Sequence, residues 1–158
     1  MRLLVAGIGN IFLGDDGFGV VVADRLRRET WPDGVVVADF GIRGVHLAYE
    51  LAGGAYDAAI LVDAVARGGS AGTLYAIDAA ADREEGGSAM DAHNLTPAVV
   101  IAWLRRLGAG CRVLVVGCEP ASLEELMELS PAVAGSVEGA VHLVRDLVAE
   151  LTGAVRCA

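Results

Sequence analysis

The chain has 158 residues, of which 54% are hydrophobic and 21% are charged, and its net charge is −9. This composition predicts a globular domain spanning residues 1–158 and excludes a disordered chain. Because an acidic protein repels phosphate groups, nucleic acids and anionic membranes are not expected partners.

We do not expect the apolar start of the chain to be a signal peptide, because Gly7, Gly9 and Asn10 interrupt it. No apolar run reaches the roughly 18 residues that a membrane-spanning helix needs. Three cysteines without a Cys-x-x-Cys pair fit a reducing compartment better than a disulfide framework. We therefore expect a cytoplasmic protein.

Apolar runs alternate with helical patterns along the chain. In chain order, these patterns predict a strand at 2–8, a helix at 16–29, a strand at 34–40, a helix at 45–52, strands at 58–65 and 73–79, a loop at 80–92, a helix at 95–108, a strand at 112–120, a helical turn at 123–129 and a closing helix at 131–152. The alternating pattern of 73–79 indicates an edge strand. The order predicts a three-layer α/β sandwich with a mainly parallel sheet.

Ligands of open α/β sheets usually bind beyond the carboxyl ends of the strands. Polar residues gather at these positions, with Asp16 after the first strand, Asp63 near the end of the third and His93 before the third long helix. Asp63 interrupts the apolar run AAILVDAVA, where an unpaired carboxylate would be costly to bury.

Several common types of site are excluded. The dinucleotide fingerprint G-x-G-x-x-G would need glycine at position 12, where Phe12 stands, and no lysine follows to complete a phosphate-binding loop. The two aspartates at positions 15 and 16 would also repel a pyrophosphate. A thiol nucleophile is not expected because no cysteine has a histidine–asparagine arrangement nearby, and no Gly-x-Ser-x-Gly motif is present.

Each candidate also has a structural interpretation. Asp15 is expected to cap the helix that follows it, Asp63 could be a buried acid bound to backbone amides, and His93 taken alone is expected to be a surface loop histidine. His46 and His142 lie in helical patterns and are not expected to be ligands. Two carboxylates and one histidine nevertheless suit nickel, zinc, manganese or iron and leave coordination positions open.

The motifs GIGNIFLGDDGFGV, LVDA, DAHNL and GCEP resemble those of the nickel–iron hydrogenase maturation endopeptidases, over nearly the whole chain. The resemblance implies a five-stranded α/β/α fold with one antiparallel edge strand. It also implies removal of a short C-terminal peptide from the nickel-loaded large-subunit precursor. Nickel would be supplied by the substrate, although other divalent cations could replace it in a crystal, and a monomer is expected.

The resemblance assigns catalytic and metal-binding roles to Asp16, Asp63 and His93. Two positions depart from the family pattern. Many relatives carry glutamate where this chain has Asp16, and Ile42 replaces a threonine in the segment DFGIRG. The loss of that hydroxyl bears on substrate identity, and Arg43 could replace its contribution.

Two other functions stay open at this point. One is a nickel-binding chaperone that uses the same site without hydrolysis, and the other is an α/β binding module. Within the protease hypothesis, a metal or a carboxylate could activate water or polarise the scissile carbonyl, and the residues do not distinguish these mechanisms.

Overall fold

The computed structural model describes residues 1–81 and 96–153, which form a five-stranded sheet with helices on both faces. The strands are β1 (Leu3–Ile8), β2 (Val35–Gly41), β3 (Ala58–Ala64), β4 (Leu74–Asp78) and β5 (Arg112–Cys118). The helices are α1 (Phe18–Leu26), α2 (Gly44–Ala52), α3 (Pro97–Arg106), α4 (Pro131–Ala134) and α5 (Val137–Thr152), and a 3-10 helix (Gly14–Gly17) precedes α1.

The strand order is β2-β1-β3-β5-β4. β1 is parallel to β2 and β3, and β3 is parallel to β5, whereas β4 is antiparallel to β5 at the edge. The predicted three-layer sandwich with one antiparallel edge strand is confirmed. β1 and β3 are neighbours, but β2 lies on one side of this pair and β4 and β5 lie on the other. The order of strands therefore reverses between β1 and β3. Folds of this kind usually bind ligands at such a point.

The two faces of the sheet bury separate apolar cores. Alternation along β1 places Leu3 and Val5 against α1 and α5, and Leu4 and Ala6 against α2 and α3. The central strands β1 and β3 are apolar on both faces, as buried parallel strands require. No helix within the described residues has both the length and the apolar character needed to cross a membrane.

The helical turn predicted at 123–129 is wrong, because this segment forms bends without a helix. This part of the chain bonds to the loop after β1 instead: Leu126 O accepts from Gly14 N at 2.7 Å, and Ser122 O, just before the segment, accepts from Asp15 N at 3.0 Å. The single helix predicted at 131–152 is also divided, into α4 and α5. The break comes at Ser136, whose hydroxyl bonds to Gly72 O.

The first helix begins at Phe18, two residues later than predicted, and ends at Leu26 instead of residue 29. The Trp31 indole donates to Leu26 O at 2.8 Å, which satisfies a carbonyl at the helix end. Most of the loop predicted at 80–92 lies outside the described residues. α3 carries Pro97 in its first turn as predicted, where a missing N–H costs nothing.

Candidate active site

A tight turn after β1 places Asp16 beside the end of the sheet. Gly9 leaves β1 with φ of 134°, a conformation that side-chain-bearing residues rarely adopt. Its N–H bonds to Gly41 O in β2 at 2.9 Å. A Cβ on Gly9 would collide with Asp16 O and lie 3.3 Å from Asp63 Oδ1. Gly9 is therefore the backbone spacer between the two candidate acids.

Asp16 lies in the 3-10 helix and is partly buried. Its Oδ2 accepts the backbone N–H of Asn10 at 2.9 Å, and Asn10 Oδ1 in turn accepts the N–H of Phe12 at 2.9 Å. Burial raises the pKa of Asp16 above its usual value, although the Asn10 hydrogen bond acts in the opposite direction. These two bonds fix both the carboxylate and the loop around it.

Asp63 is the last residue but one of β3 and is only 3% exposed. Its Oδ1 accepts the N–H of Ala64 at 2.8 Å. Burial is the main reason that the pKa of Asp63 lies well above its usual range, and the nearby negative charge of Asp16 adds to the effect. The structure thus brings Asp16 and Asp63 together at the carboxyl edge, as the topology predicted.

Two neighbouring carboxylates with raised pKa values are a favourable environment for a cation. A cation of charge +2 between them would offset both their mutual repulsion and the cost of burying their charges, and it would favour the ionised forms. The two described donors are carboxylate oxygens, which suit a divalent cation. Within residues 1–81 and 96–153, however, no group of three or more metal-binding side chains occurs.

His93, the third predicted site residue, lies outside the described residues. Its metal-binding and catalytic roles therefore stay predictions, and so does the joint role of all three residues. His46 and His142 are exposed on α2 and α5. His142 contacts Glu138 at 3.4 Å on the helix surface, in agreement with the non-ligand interpretation.

Asp15 does not cap the following helix, contrary to the sequence prediction. It is 1% exposed and accepts four hydrogen bonds from a distant segment. Its Oδ2 receives the N–H groups of Ala121 and Ser122 and the hydroxyl of Ser130, and its Oδ1 receives the N–H of Ser130, at 2.7–3.0 Å. Burial alone would raise the pKa of Asp15, but these four bonds lower it. The adjacent aspartates therefore have separate roles.

Glu119 is another buried acid, and it binds a different segment of the chain from the one that Asp15 binds. It is 6% exposed and accepts the N–H groups of Arg67 at 2.8 Å and Gly68 at 3.2 Å, and the hydroxyl of Tyr75 at 2.8 Å. Hydrogen bonds, that of Arg67 N first, lower the pKa of Glu119. Its role is to hold the loop that follows β3 and Asp63. The sequence signal was its place at a strand end, but its partners were not predictable.

The segment DFGIRG forms the turn from β2 into α2. Arg43 Nη2 donates to Asp39 O at 2.6 Å, and its guanidinium lies 5.7 Å from the centre of the Phe40 ring. Arg43 is thus bonded to its own loop, while Ile42 is 68% exposed. These contacts give the arginine a structural role, and the suggested contribution to substrate binding stays a prediction.

The described cysteines are unsuited to nucleophilic chemistry. Cys118 is buried, and burial raises the pKa of its thiol to about 11. Burial also raises the pKa of Cys111. Both thiols are therefore protonated at neutral pH, in agreement with the sequence argument against a thiol nucleophile. Cys157 lies outside the described residues.

Comparison with known proteins decides the family. A sequence model described as hydrogenase maturation protease matches residues 20–147. The chain belongs to the hydrogenase maturation protease family. The hydrogenase 2 maturation protease of Escherichia coli K12 is 34% identical over 152 residues, which cover 91% of this chain and 88% of the relative. The hydrogenase expression/formation protein HupD of Rhodobacter capsulatus is 35% identical over 92% of this chain and 71% of its own length.

Solved structures of family members have the same fold. The hydrogenase maturating endopeptidase HybD of Escherichia coli superposes with a TM-score of 0.80 at 31% identity, over 95% of this chain and 93% of HybD. The maturation protease HycI of Thermococcus kodakarensis gives a TM-score of 0.75 at 27% identity, over 93% and 92% of the two chains. The family confirms the resemblance found in the motifs and supports an endopeptidase over a non-hydrolytic chaperone.

Proposed function

We propose that this member of the family removes a short C-terminal peptide from the nickel-loaded large-subunit precursor of a nickel–iron hydrogenase. The observation that carries the proposal is the pair Asp16 and Asp63 at the carboxyl edge of the sheet, where their mutual repulsion and burial favour a cation. Nickel arrives with the substrate and belongs to it. The acids then bind the metal that marks a precursor as ready for cleavage.

Charge explains why such a site distinguishes loaded from empty precursor. Without the cation, the two carboxyls repel each other and their pKa values are raised. Nickel held by the precursor would bind the ionised carboxylates and offset their mutual repulsion and their burial. His93 is proposed as the third ligand, since imidazole nitrogen suits nickel. Binding would therefore be strong only when the metal is present, and it would place the scissile bond at this edge.

The experiment compares nickel-loaded and nickel-free large-subunit precursor, purified from the same organism, by intact-mass measurement after incubation with the chain. We expect the mass of a short C-terminal peptide to be lost from the loaded precursor only. Asp16→Asn and Asp63→Asn should each leave the loaded precursor intact. Asp24→Asn is the matched control, because Asp24 lies on the exposed face of α1 and pairs with Arg28 at 2.7 Å.

Two results would contradict this function. If the wild-type chain leaves the loaded precursor intact, the endopeptidase proposal fails for this substrate. If it cleaves loaded and empty precursor equally, the acids do not recognise the metal. Retained cleavage by Asp16→Asn would remove that residue from the site while leaving the reaction class unaffected.

We also propose that cleavage occurs in the cytoplasm. The support is the sparse set of cysteines without a Cys-x-x-Cys pair, which fits a reducing compartment. Cell fractionation with an antibody against the chain tests this location. Recovery of most of the protein outside the cytoplasmic fraction would contradict it.

A further inference from the structure

Five apolar side chains are exposed on two adjoining segments beside the candidate site. We call them the apolar rim, which consists of Ile11, Phe12, Leu123, Leu126 and Met127. Met127 is 70% exposed and Phe12 is 59% exposed. Scattered apolar residues are ordinary on a protein surface, but a concentration next to a site indicates an interaction surface.

The two segments of the rim are joined by the backbone. Gly14 N donates to Leu126 O at 2.7 Å, so the loop carrying Ile11 and Phe12 lies against the segment carrying Leu126. A Cβ on Gly14 would lie only 3.0 Å from Ser122 O, which shows how closely the backbones approach. The rim is therefore one feature of the surface.

The segment 121–130 has no regular secondary structure, yet its position is fixed. The buried carboxylate of Asp15 accepts the N–H groups of Ala121, Ser122 and Ser130 and the hydroxyl of Ser130. Ordering a loop costs conformational entropy, and here that ordering holds Leu123, Leu126 and Met127 in water. A loop with only a structural role would stabilise the fold more by burying these apolar side chains.

The rim also adjoins the candidate acid Asp16. Asp15, which fastens one segment, is followed directly by Asp16. In the segment that carries Ile11 and Phe12, the backbone N–H of Asn10 donates to Asp16 Oδ2. Ile11 lies against Gly17, and a Cβ on that glycine would be 3.1 Å from Ile11 Cα. A partner seated on the rim is thus within reach of the proposed cleavage site.

We infer that the apolar rim is the docking surface for the folded body of the large-subunit precursor, which it holds while the C-terminal peptide enters the site. This inference rests on the proposed function. The occupant should present apolar side chains flanked by lysine or arginine, because Glu124, Glu125 and Glu128 are exposed between the apolar residues of the rim. Continuity with the site and this charge pattern favour the substrate protein over a second, equally acidic copy of the chain.

The test measures binding separately from cleavage. A Leu126→Gln/Met127→Gln variant is compared with wild type for its Kd for the full-length, nickel-loaded precursor and for single-turnover cleavage over a range of enzyme concentrations. We expect Kd to rise by about tenfold or more, as truncation of apolar anchors usually causes. The half-saturating concentration should rise in parallel, with little change in the cleavage rate at saturation. Asp63→Asn should lose cleavage, and adding the two rim substitutions to it should raise Kd further, because the rim contributes to affinity separately from the metal.

Leu107→Gln is the matched control. Leu107 is 50% exposed, close to the 57% of Leu126, but it follows the C-terminal end of α3 at the opposite edge of the sheet. We expect its Kd to equal that of wild type. A Glu124→Gln/Glu125→Gln/Glu128→Gln variant should associate more slowly than wild type and lose most of the salt dependence of its association rate. Thermal melting of each variant shows whether the fold is retained.

The outcomes separate the two proposals. If wild type cleaves the precursor and the rim variant binds it equally well, the docking inference is wrong while the proposed function stands. If wild type neither binds nor cleaves, both fail. If wild type binds without cleaving and the rim variant loses binding, the docking surface stands and the endopeptidase proposal fails. If the rim substitutions instead abolish self-association in sedimentation, the surface joins two copies of this chain and the inference is overturned.

Discussion

Asp15 Oδ1 accepts the backbone N–H of Ser130 at 2.7 Å, although 115 residues separate them. With its other oxygen, Asp15 also accepts Ala121 N, Ser122 N and the Ser130 hydroxyl. One buried carboxylate thus fixes the loop after β5 to the turn after β1. The relationship matters for function because the next residue in the chain is Asp16.

We expect Asp15→Asn to destabilise the protein by about 2–3 kcal/mol, because an amide group turns N–H donors towards the buried N–H groups that the carboxylate now satisfies. Asp24→Asn, on the exposed face of α1, should change the stability by less than about 0.5 kcal/mol. Urea unfolding of both variants measures the difference. Equal stability of the Asp15 variant and wild type would show that these four bonds contribute nothing net.

Gly9→Ala should abolish cleavage and lower stability, because the new Cβ would collide with Asp16 O and approach Asp63 Oδ1. The φ of 134° adds strain for any residue with a side chain. Gly54→Ala is the control, since Gly54 also has a positive φ of 74° but no atom within 4 Å of a Cβ. The control should lose about 1–2 kcal/mol from backbone strain alone. Similar losses of stability and full activity in both variants would contradict the spacer role of Gly9.

The stability of the metal-free protein should depend on pH through Asp63. Its pKa in the folded state lies above the reference value of 3.8, so the folded protein binds the proton more tightly than the unfolded chain. The contribution of this carboxyl to stability is therefore largest below about pH 4. It decreases as the pH rises through the folded-state pKa. We expect Asp63→Asn to melt at or above the wild-type temperature at pH 7, and the difference should shrink towards pH 4. Melting curves of metal-free protein over this range provide the measurement. A variant that melts far below wild type at pH 7 would identify Asp63 as a structural acid.

Metal binding offers a test of His93 that does not depend on cleavage. If Asp16, Asp63 and His93 share a cation, added Ni²⁺ should raise the melting temperature of wild type, because a ligand of the folded state stabilises it by mass action. Asp16→Asn should lose this shift. His93→Ala should show a smaller shift that free imidazole partly restores, since imidazole can supply the missing nitrogen. An unchanged nickel shift in His93→Ala would remove His93 from the metal site.

The local patterns of the sequence were sufficient for the sheet and most of the helices. Continuous apolar runs identified the buried strands, and the alternating run at 73–79 identified the edge strand, because side-chain burial in a sheet follows directly from strand position. The local pattern of segment 123–129 predicted the wrong structure. Its apolar and acidic residues have a helical spacing, but Leu126 O bonds to Gly14 N, and the flanking Ala121 and Ser122 are held by Asp15.

The sequence by itself determined that Asp16 and Asp63 would meet at the carboxyl edge of a parallel sheet, because strand direction and connection order fix which ends converge. Only the tertiary structure decided the roles of Asp15 and Glu119. A buried carboxylate takes whichever donors the packed chain brings to it, and these came from residues far away in sequence, Ser130 for Asp15 and Arg67 for Glu119. Local pattern carries no information about such partners, since their positions depend on how the two cores pack on the sheet.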